Sequence, residues 1–166
     1  MNKLINKILV TGSSGTIGTR LCEKFLENGF EVVGVDYRPN EWSEKIQSIT
    51  IDIDLRNKDD VLNKLPKDFD VVIHLAANAR VYNLVVDTSL ARDNFETIYN
   101  VLEFTRINKI KKFMFASSRE VYGNSKKILY REDESYVFNC ESPYTASKIA
   151  GEALVHSYQE CYGIKA

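Results

Sequence analysis

The feature that most constrains this chain is a glycine-rich turn between an apolar run and an amphipathic segment. The run Lys7–Thr11 is followed at once by Gly12, Gly15 and Gly18 within the sequence TGSSGTIG. Thr16–Asn28 then carries apolar residues at helical spacing. A strand that ends in such a turn and continues as a helix is the unit that opens a dinucleotide-binding α/β sheet.

In that unit each glycine has its own steric task. Gly12 permits the tight turn, Gly15 lets a pyrophosphate approach the backbone, and Gly18 allows close packing of the helix on the strand. The backbone amides at the start of the helix, around Thr16 and Ile17, would then face the pyrophosphate. The turn therefore predicts a dinucleotide site at the beginning of the first helix.

An acidic residue at the end of the second apolar run agrees with this interpretation. Asp36 lies about 20 residues beyond the glycines, where a ribose-binding acid belongs. Its carboxylate can accept hydrogen bonds from both ribose hydroxyls and would repel a 2′-phosphate, so NAD is favoured over NADP. Arg38 weakens that preference, because a guanidinium group beside the ribose can accommodate a phosphate.

The rest of the chain continues the alternation of apolar runs and amphipathic segments. The runs lack polar alternation, which is typical of strands that are buried on both faces of a parallel sheet. Repeated strand–helix units of this kind predict a Rossmann-type, doubly wound parallel sheet with helices on both faces, formed by one domain over residues 1–166. The further expected strands are Glu31–Val35, Ile46–Ile53, Asp70–Ala76 and Lys112–Ser117, and the further expected helices are Lys58–Leu65, Thr88–Asn108 and Ser142–Tyr162.

Composition argues against several other classes of protein. With 22 basic and 23 acidic residues the net charge is −1, which gives no electrostatic reason to expect nucleic acid or a membrane surface as a partner. No run reaches the roughly 18–20 apolar residues that span a bilayer. The cysteines (Cys22, Cys140 and Cys161) fit neither a disulfide framework nor a zinc site. His74 and His156 are far apart in the sequence, so we expect no histidine-based metal site. The cysteines are best explained as reduced thiols in a cytoplasmic protein.

A tyrosine and a lysine near the end of the chain form a candidate acid–base pair. Tyr144 and Lys148 are four residues apart on a predicted helix, so both side chains lie on one face. An ammonium group beside a phenol stabilises the phenolate, which would make Tyr144 a general acid/base tuned by Lys148. Ser118 follows the fifth predicted strand, at the edge of the sheet where ligands bind, and its hydroxyl could bond the substrate hydroxyl.

Taken together, these motifs resemble the extended short-chain dehydrogenases/reductases. The similarity is greatest to the NAD-dependent nucleotide-sugar epimerase/dehydratase family, which includes UDP-galactose 4-epimerase, and it covers nearly the whole chain in order. The motifs that carry it are TGSSGTIG, Asp36, Asp54-Leu55-Arg56-Asn57, His74-Leu75-Ala76-Ala77, Ser117-Ser118-Arg119-Glu120-Val121-Tyr122-Gly123, and Pro143-Tyr144 with Lys148.

The resemblance implies NAD as cofactor and adds expected contacts with it. Asp54 and Leu55 would contact the adenine, and Tyr144 and Lys148 would reach the nicotinamide ribose. Ala116 would touch the nicotinamide side through its backbone. The remaining expected contacts follow the fourth strand or lie in the long helix, and they are Leu75, Ala76, Ala77 and Asn94.

The resemblance also implies a reaction. Tyr144 would take a proton from a sugar hydroxyl while hydride passes to NAD, the keto-sugar would turn, and hydride would return to its other face. Dehydratases of the family resemble Thr-Asp-Glu where this chain has Ser118-Arg119-Glu120. Glu120 is kept as the possible base, but Arg119 replaces the acid, which argues against 4,6-dehydration. Epimerisation is the first expectation and decarboxylation or another remodelling the next; a solvated or salt-bridged Glu120 remains an alternative.

Other interpretations stay open at this point. The chain could be a non-catalytic NAD-binding module, or a reductase of the same superfamily that acts on a sugar ketone or a small hydroxy compound. The resemblance also implies a homodimer, formed through the helices 88–108 and 142–162, and a nucleotide sugar as substrate.

The end of the chain departs from the family. Members continue into a smaller C-terminal substrate domain, whereas this sequence ends at Gly163-Ile164-Lys165-Ala166, where the next strand should begin. We therefore expect almost the whole of that domain to be missing from these residues. A truncated piece of a full enzyme and a natural short protein both remain possible. We expect these residues alone to bind NAD weakly and to turn over nucleotide sugars poorly or not at all, because the sugar is not oriented.

Overall fold

The structure is a computed structural model that describes residues 5–124, 128–134 and 137–166. Its centre is a sheet of five parallel strands in the order β3-β2-β1-β4-β5. The predicted Rossmann-type parallel sheet is thereby confirmed. The strands are β1 (Lys7–Thr11), β2 (Glu31–Asp36), β3 (Thr50–Asp52), β4 (Val71–His74) and β5 (Lys112–Phe115).

Helices cover both faces of this sheet, as a doubly wound fold requires. The α-helices are α1 (Thr16–Glu27), α2 (Glu44–Gln47), α3 (Lys58–Lys64), α4 (Val81–Val86), α5 (Ser89–Ile107) and α6 (Pro143–Tyr162). Successive strand residues point to opposite faces. Ile8 and Val10 of β1 therefore pack on one side with Cys22 of α1, whereas Leu9 packs on the other side with residues of α3, α5 and α6, such as Phe104.

The prediction of a strand over Ile46–Ile53 was wrong in its first half. Residues up to Gln47 belong to helix α2, and the strand is only Thr50–Asp52. The Ser43 side chain caps this helix by accepting a hydrogen bond from the Ile46 amide, and Ile46 is fully buried. A serine cap outweighs the apolar run here, because a single helical turn needs only one buried side chain to anchor it.

Helix α4 was not predicted at all. Its sequence, VYNLVV, is apolar without helical periodicity, and only Leu84 is buried. Tyr82 and Val86 are largely exposed. A short helix with one buried residue has no stripe by which periodicity could identify it.

The carboxyl ends of the strands lie level with one another, which places their following loops at one edge of the sheet. Thr11 is in register with Val35 and with His74. His74 in turn is in register with Phe115. The turn after β1, the end of β2 and the segments after β4 and β5 therefore meet at this edge, where α/β sheets bind their ligands.

The last residues pair with the outer edge of β5. The amide of Lys165 donates to Lys111 O at 2.9 Å, and the amide of Phe113 donates to Lys165 O at 2.8 Å. The pairing is parallel, with Lys112 opposite Lys165. This agrees with the expectation that a strand direction resumes after α6.

Candidate active site

The glycine turn is shaped by close backbone contacts. Gly12 has φ of +73°, and a Cβ there would lie 2.8 Å from the amide nitrogen of Ala76. A Cβ on Gly18 would lie 2.0 Å from the carbonyl oxygen of Gly12. Helix α1 therefore packs directly on the backbone of the turn, and both positions exclude any side chain.

The first turn of α1 presents polar groups to the edge of the sheet. Gly15 is the N-cap, and Thr16 and Ile17 behind it are exposed. The amides of a first helical turn have no carbonyl partner inside the helix, which makes them a natural anion site. Among the described residues, the buried hydroxyl of Ser14 has no hydrogen-bond partner. A ligand with acceptor oxygens would satisfy both sets of groups.

Asp36 lies beside this turn with its side chain only 4% exposed. Its carboxylate accepts a hydrogen bond from the Ser14 amide at 3.2 Å and another from the Arg38 amide at 3.0 Å. The Arg38 side chain is mostly exposed, with Nε 3.6 Å from Asp36 Oδ1. A depression of about 120 Å³ opens here, lined by Asp36, Tyr37, Arg38, Pro39, Gln47, Thr50 and Asp52.

Asp54 is held by an arginine that the sequence analysis did not single out as a site residue. Arg56 Nε donates to Asp54 Oδ1 at 3.0 Å, and Arg56 Nη1 donates to the buried Asp93 at 2.9 Å. The hydrogen bonds from Arg56 hold the pKa of Asp54 below its ordinary value. The side chain of Leu55 packs in the core, so of the two residues expected at the adenine only Asp54 has an accessible side chain.

The segment after β4 is held by hydrogen bonds to a side chain of helix α5, which is in turn bonded to α6. Asn94 on α5 accepts a hydrogen bond from the Asn78 amide at 2.6 Å and donates to the Asn78 carbonyl at 3.1 Å. It also donates to Ser147 Oγ on α6 at 3.2 Å. Its side chain is therefore bonded within the protein, to the residue that follows the segment Leu75, Ala76 and Ala77, which was expected to line the cofactor.

Tyr144 and Lys148 are both buried on one face of α6, with 7% and 4% of their surfaces exposed. Lys148 Nζ donates to the carbonyl of Ala116 at 2.8 Å, just beyond β5. Nζ also lies 5.8 Å from the centre of the Tyr144 ring. Burial lowers the pKa of Lys148 to about 8. The structure thus brings Tyr144, Lys148 and Ala116 together at the edge of the sheet.

Ser118 and Glu120 follow β5 in a short 3₁₀ helix, Arg119–Tyr122. Ser118 Oγ accepts a hydrogen bond from the Glu120 amide at 3.2 Å and so caps this helix. Glu120 Oε1 lies 3.6 Å from Arg119 Nε, and the arginine is mostly exposed. The carboxylate of Glu120 is therefore in an ion pair, which was one of the two interpretations left open for this residue.

His74 links the two sides of the site, a role that no sequence pattern indicated. Its Nδ1 is 2.9 Å from Thr11 Oγ1, and its ring stacks at about 6 Å on both Phe113 and Phe115. Thr11 Oγ1 also accepts a hydrogen bond from the Ala76 amide at 3.3 Å. Burial lowers the pKa of His74 to about 3, and the ring is neutral.

Two kinds of structure do not occur in the described part of the chain. No helix there is both long and apolar enough to cross a membrane. No group of three or more histidine, cysteine, aspartate or glutamate side chains there is arranged to hold a metal ion.

Sequence comparison places this chain among known proteins. Residues 8–166 match the model of the NAD dependent epimerase/dehydratase family. The chain is 36% identical over 164 residues to a putative UDP-glucose 4-epimerase of Methanocaldococcus jannaschii, covering 95% of this chain and 52% of that protein. It is 33% identical over 169 residues to UDP-glucose 4-epimerase of Pisum sativum, covering 93% and 48%. The chain spans about half the length of the curated relatives it matches.

Solved structures give the same result. The UDP-glucose 4-epimerase of Thermus thermophilus, in complex with NAD, superposes with a TM-score of 0.84 at 30% identity, over 95% of this chain and 52% of that one. The UDP-N-acetylglucosamine 4-epimerase of Methanobrevibacter ruminantium superposes with a TM-score of 0.83 at 28% identity, over 96% and 52%. The predicted family resemblance is confirmed.

Proposed function

Because this chain belongs to the NAD dependent epimerase/dehydratase family, we propose that it binds NAD and supplies the acid–base pair for epimerising a nucleotide sugar. One observation carries the proposal. The buried ammonium of Lys148 is hydrogen-bonded to the carbonyl of Ala116, beside Tyr144, at the edge of the sheet that also holds the glycine turn. A buried lysine with a lowered pKa is expensive to keep unless the site uses it.

The polar groups of the first two strands fit the adenosine diphosphate part of NAD. The amides of Thr16 and Ile17 and the unpartnered hydroxyl of Ser14 would bind pyrophosphate oxygens, with Gly15 leaving room for their approach. Asp36 would accept hydrogen bonds from the ribose hydroxyls. Its buried carboxylate, already bonded to the Ser14 amide, would repel a 2′-phosphate and favour NAD over NADP.

The other end of the dinucleotide would lie against the segments that follow β4 and β5. Ala76 and Ala77, after β4, would line the cofactor there, whereas Asp54, after β3, would accept a hydrogen bond from the adenine amino group at the adenosine end. Ala116 would contact the nicotinamide through its backbone, and Lys148 would bond the nicotinamide ribose. Bound NAD would supply a reversible acceptor for hydride at the sugar carbon.

The residues of α6 and of the segment after β5 would handle the proton. The Tyr144 phenolate takes the proton from a sugar hydroxyl, and the resulting phenol later returns it. Lys148 stabilises the phenolate form of Tyr144 before the proton is taken, because its ammonium charge lies beside the ring. Ser118 presents a hydroxyl at the same edge and orients the sugar hydroxyl. Each of these side chains returns to its starting protonation state at the end of the cycle.

The arrangement around Glu120 supports epimerisation over 4,6-dehydration. Dehydration needs a free base and an acid next to each other, whereas here an arginine occupies the position of the acid and lies 3.6 Å from the carboxylate of Glu120.

Two further proposals concern the assembly and location of the protein. Exposed apolar side chains on the long helices, including Phe95 and Tyr99 on α5, support a homodimer formed through the helices 88–108 and 142–162. Cys22, Cys140 and Cys161 are free thiols, which supports a cytoplasmic location.

Two measurements test the proposed function. First, the mass of the native protein in its source cell is measured with an antibody raised against this chain. The two masses to be distinguished are 19.0 kDa and about twice that value. Second, the native protein is assayed for interconversion of UDP-glucose and UDP-galactose, and of their N-acetyl counterparts, with NAD present. We expect interconversion without net reduction of NAD.

The matched variant is Tyr144→Phe, which removes one hydroxyl from a buried side chain. We expect turnover to fall by roughly a hundredfold to ten-thousandfold, the usual contribution of a general acid/base. The affinity for NAD should stay within about threefold, since the larger part of the dinucleotide lies elsewhere. NAD binding without turnover of any pair would favour a binding module, and net consumption of NADH would favour a reductase; either result contradicts the proposal.

A further inference from the structure

Asn40, in the loop between β2 and α2, was not among the predicted site residues. It is 9% exposed, and its amide nitrogen donates to Thr19 Oγ1 at 2.8 Å and to the Ser13 carbonyl at 3.1 Å. Thr19 Oγ1 itself donates to the same Ser13 carbonyl at 3.0 Å. Asn40 is therefore bonded both to the glycine turn and to the first turns of α1.

The amide oxygen of Asn40 points the other way and organises its own loop. It accepts hydrogen bonds from the amides of Trp42 and Ser43, each at 2.9 Å. The backbone amide of Asn40 donates to the side chain of Gln47 on α2. Ser43 in turn caps α2. The connection from β2 to α2 is therefore organised by hydrogen bonds to Asn40.

Both hydrogens of the Asn40 amide and both acceptor positions of its oxygen are used inside the protein. An asparagine side chain offers four hydrogen bonds at most, and none is left for a ligand. We propose that Asn40 is a positioning residue, which holds the loop carrying Asp36 in register with the glycine turn so that one dinucleotide can engage both. This inference rests on the proposed binding of NAD.

The register matters because the ribose and the pyrophosphate are parts of one molecule. A ligand gains from both contacts only if their separation in the protein matches the covalent spacing in the ligand. Within the described residues the Ser14 amide also joins the two loops by donating to Asp36 at 3.2 Å, and the amides of Gly12 and Ser13 donate to the Val35 carbonyl at 2.8 and 3.3 Å. Asn40 adds two side-chain bonds behind the Ser14 contact, away from the ligand edge.

The test separates positioning from a general contribution to stability. Adenosine reaches only the ribose loop, whereas ADP-ribose spans the ribose loop and the glycine turn. Affinities of the full chain for both ligands can be measured by ligand-observed NMR titration. A positioning residue affects the spanning ligand, whereas a loss of folded protein would weaken both ligands by the same factor.

Asn40→Asp is the decisive variant, because it keeps the acceptor for Trp42 and Ser43 but removes both donors to the glycine turn. We expect the advantage of ADP-ribose over adenosine to shrink at least about tenfold, with adenosine changing less than about threefold. Thr19→Val, which removes one of the two acceptors, should act in the same direction and less strongly, and it replaces Asn40→Asp if that variant does not fold.

The control is Asn108→Asp, which removes a donor to the Phe104 carbonyl at the far end of α5. It should leave the ratio of the two affinities unchanged. Equal losses for both ligands in Asn40→Asp, or no loss in either, would overturn the inference while leaving the proposed function intact. A wild-type chain that binds neither ligand would overturn both.

Discussion

The two parts of the site are built on different physical principles. The turn region, residues 11–19 with Asp36 and Asn40, is shaped by close backbone contacts and by hydrogen bonds. Most of these bonds join neutral groups, and the carboxylate of Asp36 is the one charged acceptor among them. The second part, called the catalytic region after its proposed role, is Ala116–Glu120 with Tyr144 and Lys148. It instead buries a cation whose one hydrogen bond within the described residues goes to a carbonyl. In the turn region the atoms proposed to bind NAD also hold the fold, whereas in the catalytic region the proposed function opposes stability.

The largest test of this comparison uses two glycines of the turn region. In Gly18→Ala the new Cβ would lie 2.0 Å from the Gly12 carbonyl oxygen, which cannot move because the turn is held on both sides. We expect the free energy of unfolding to fall by at least about 3 kcal/mol, as for a severe overpacking. Urea denaturation followed by circular dichroism measures it.

Gly15→Ala is the matched partner. Its Cβ would lie 3.3 Å from the same oxygen, and Gly15 has φ of −78°, which alanine adopts readily. Stability should stay within about 1 kcal/mol of the wild type. NAD affinity should fall roughly tenfold to a hundredfold, the equivalent of one charge-assisted hydrogen bond, because the methyl group occupies the pyrophosphate approach. Equal stability losses in both variants would show that the turn is only structural.

The same difference explains what the sequence could predict. The glycine spacing encodes backbone shape directly, so the fold and the turn region were predictable from β1 and its neighbours. Asn40 was not, because its partners Ser13 and Thr19 are 27 and 21 residues away and no local pattern connects them. Asn94 was predicted as a cofactor contact, but its bonds to Asn78 and Ser147 were not predictable, because only the packing of the folded chain creates them.

The catalytic region can be tested through the burial of its lysine. Burial lowers the pKa of Lys148 to about 8, whereas an unfolded lysine titrates near 10.5. The cost of burying the charge is fully present below pH 8 and disappears as the pH rises to 10.5, because the unfolded chain holds the proton longer. Relative to Lys148→Met, the wild type should gain about 3 kcal/mol in stability over this interval.

Unfolding of both proteins at a series of pH values measures that difference, since the other titrating groups are common to the two. Lys67→Met, at an exposed lysine, provides the control and should show no such change. If the difference between wild type and Lys148→Met does not vary with pH, then the catalytic region carries no buried charge cost and the contrast with the turn region fails.

The smallest expected effect belongs to the residue that joins the two regions. His74 bonds to Thr11 on the side of the turn region and stacks on Phe113 and Phe115 beneath the catalytic region. Burial, and next the charge of Lys148, lower the pKa of His74 to about 3. The unfolded chain therefore takes up a proton near pH 6.5 that the folded chain refuses, so stability falls as the pH drops below that value.

Between about pH 7 and pH 5 this one residue should cost the wild type about 2 kcal/mol of unfolding free energy, a loss that is absent in His74→Gln. Glutamine offers Thr11 Oγ1 both an amide donor and a carbonyl acceptor, so the comparison concerns the proton and not the hydrogen bond. His156→Gln changes the other histidine, which is exposed on α6, and should retain the full loss. If His74→Gln loses as much stability as the wild type, His74 takes up its proton as readily in the folded wild-type protein as in the unfolded chain. A cation would then lie beneath both regions instead of one.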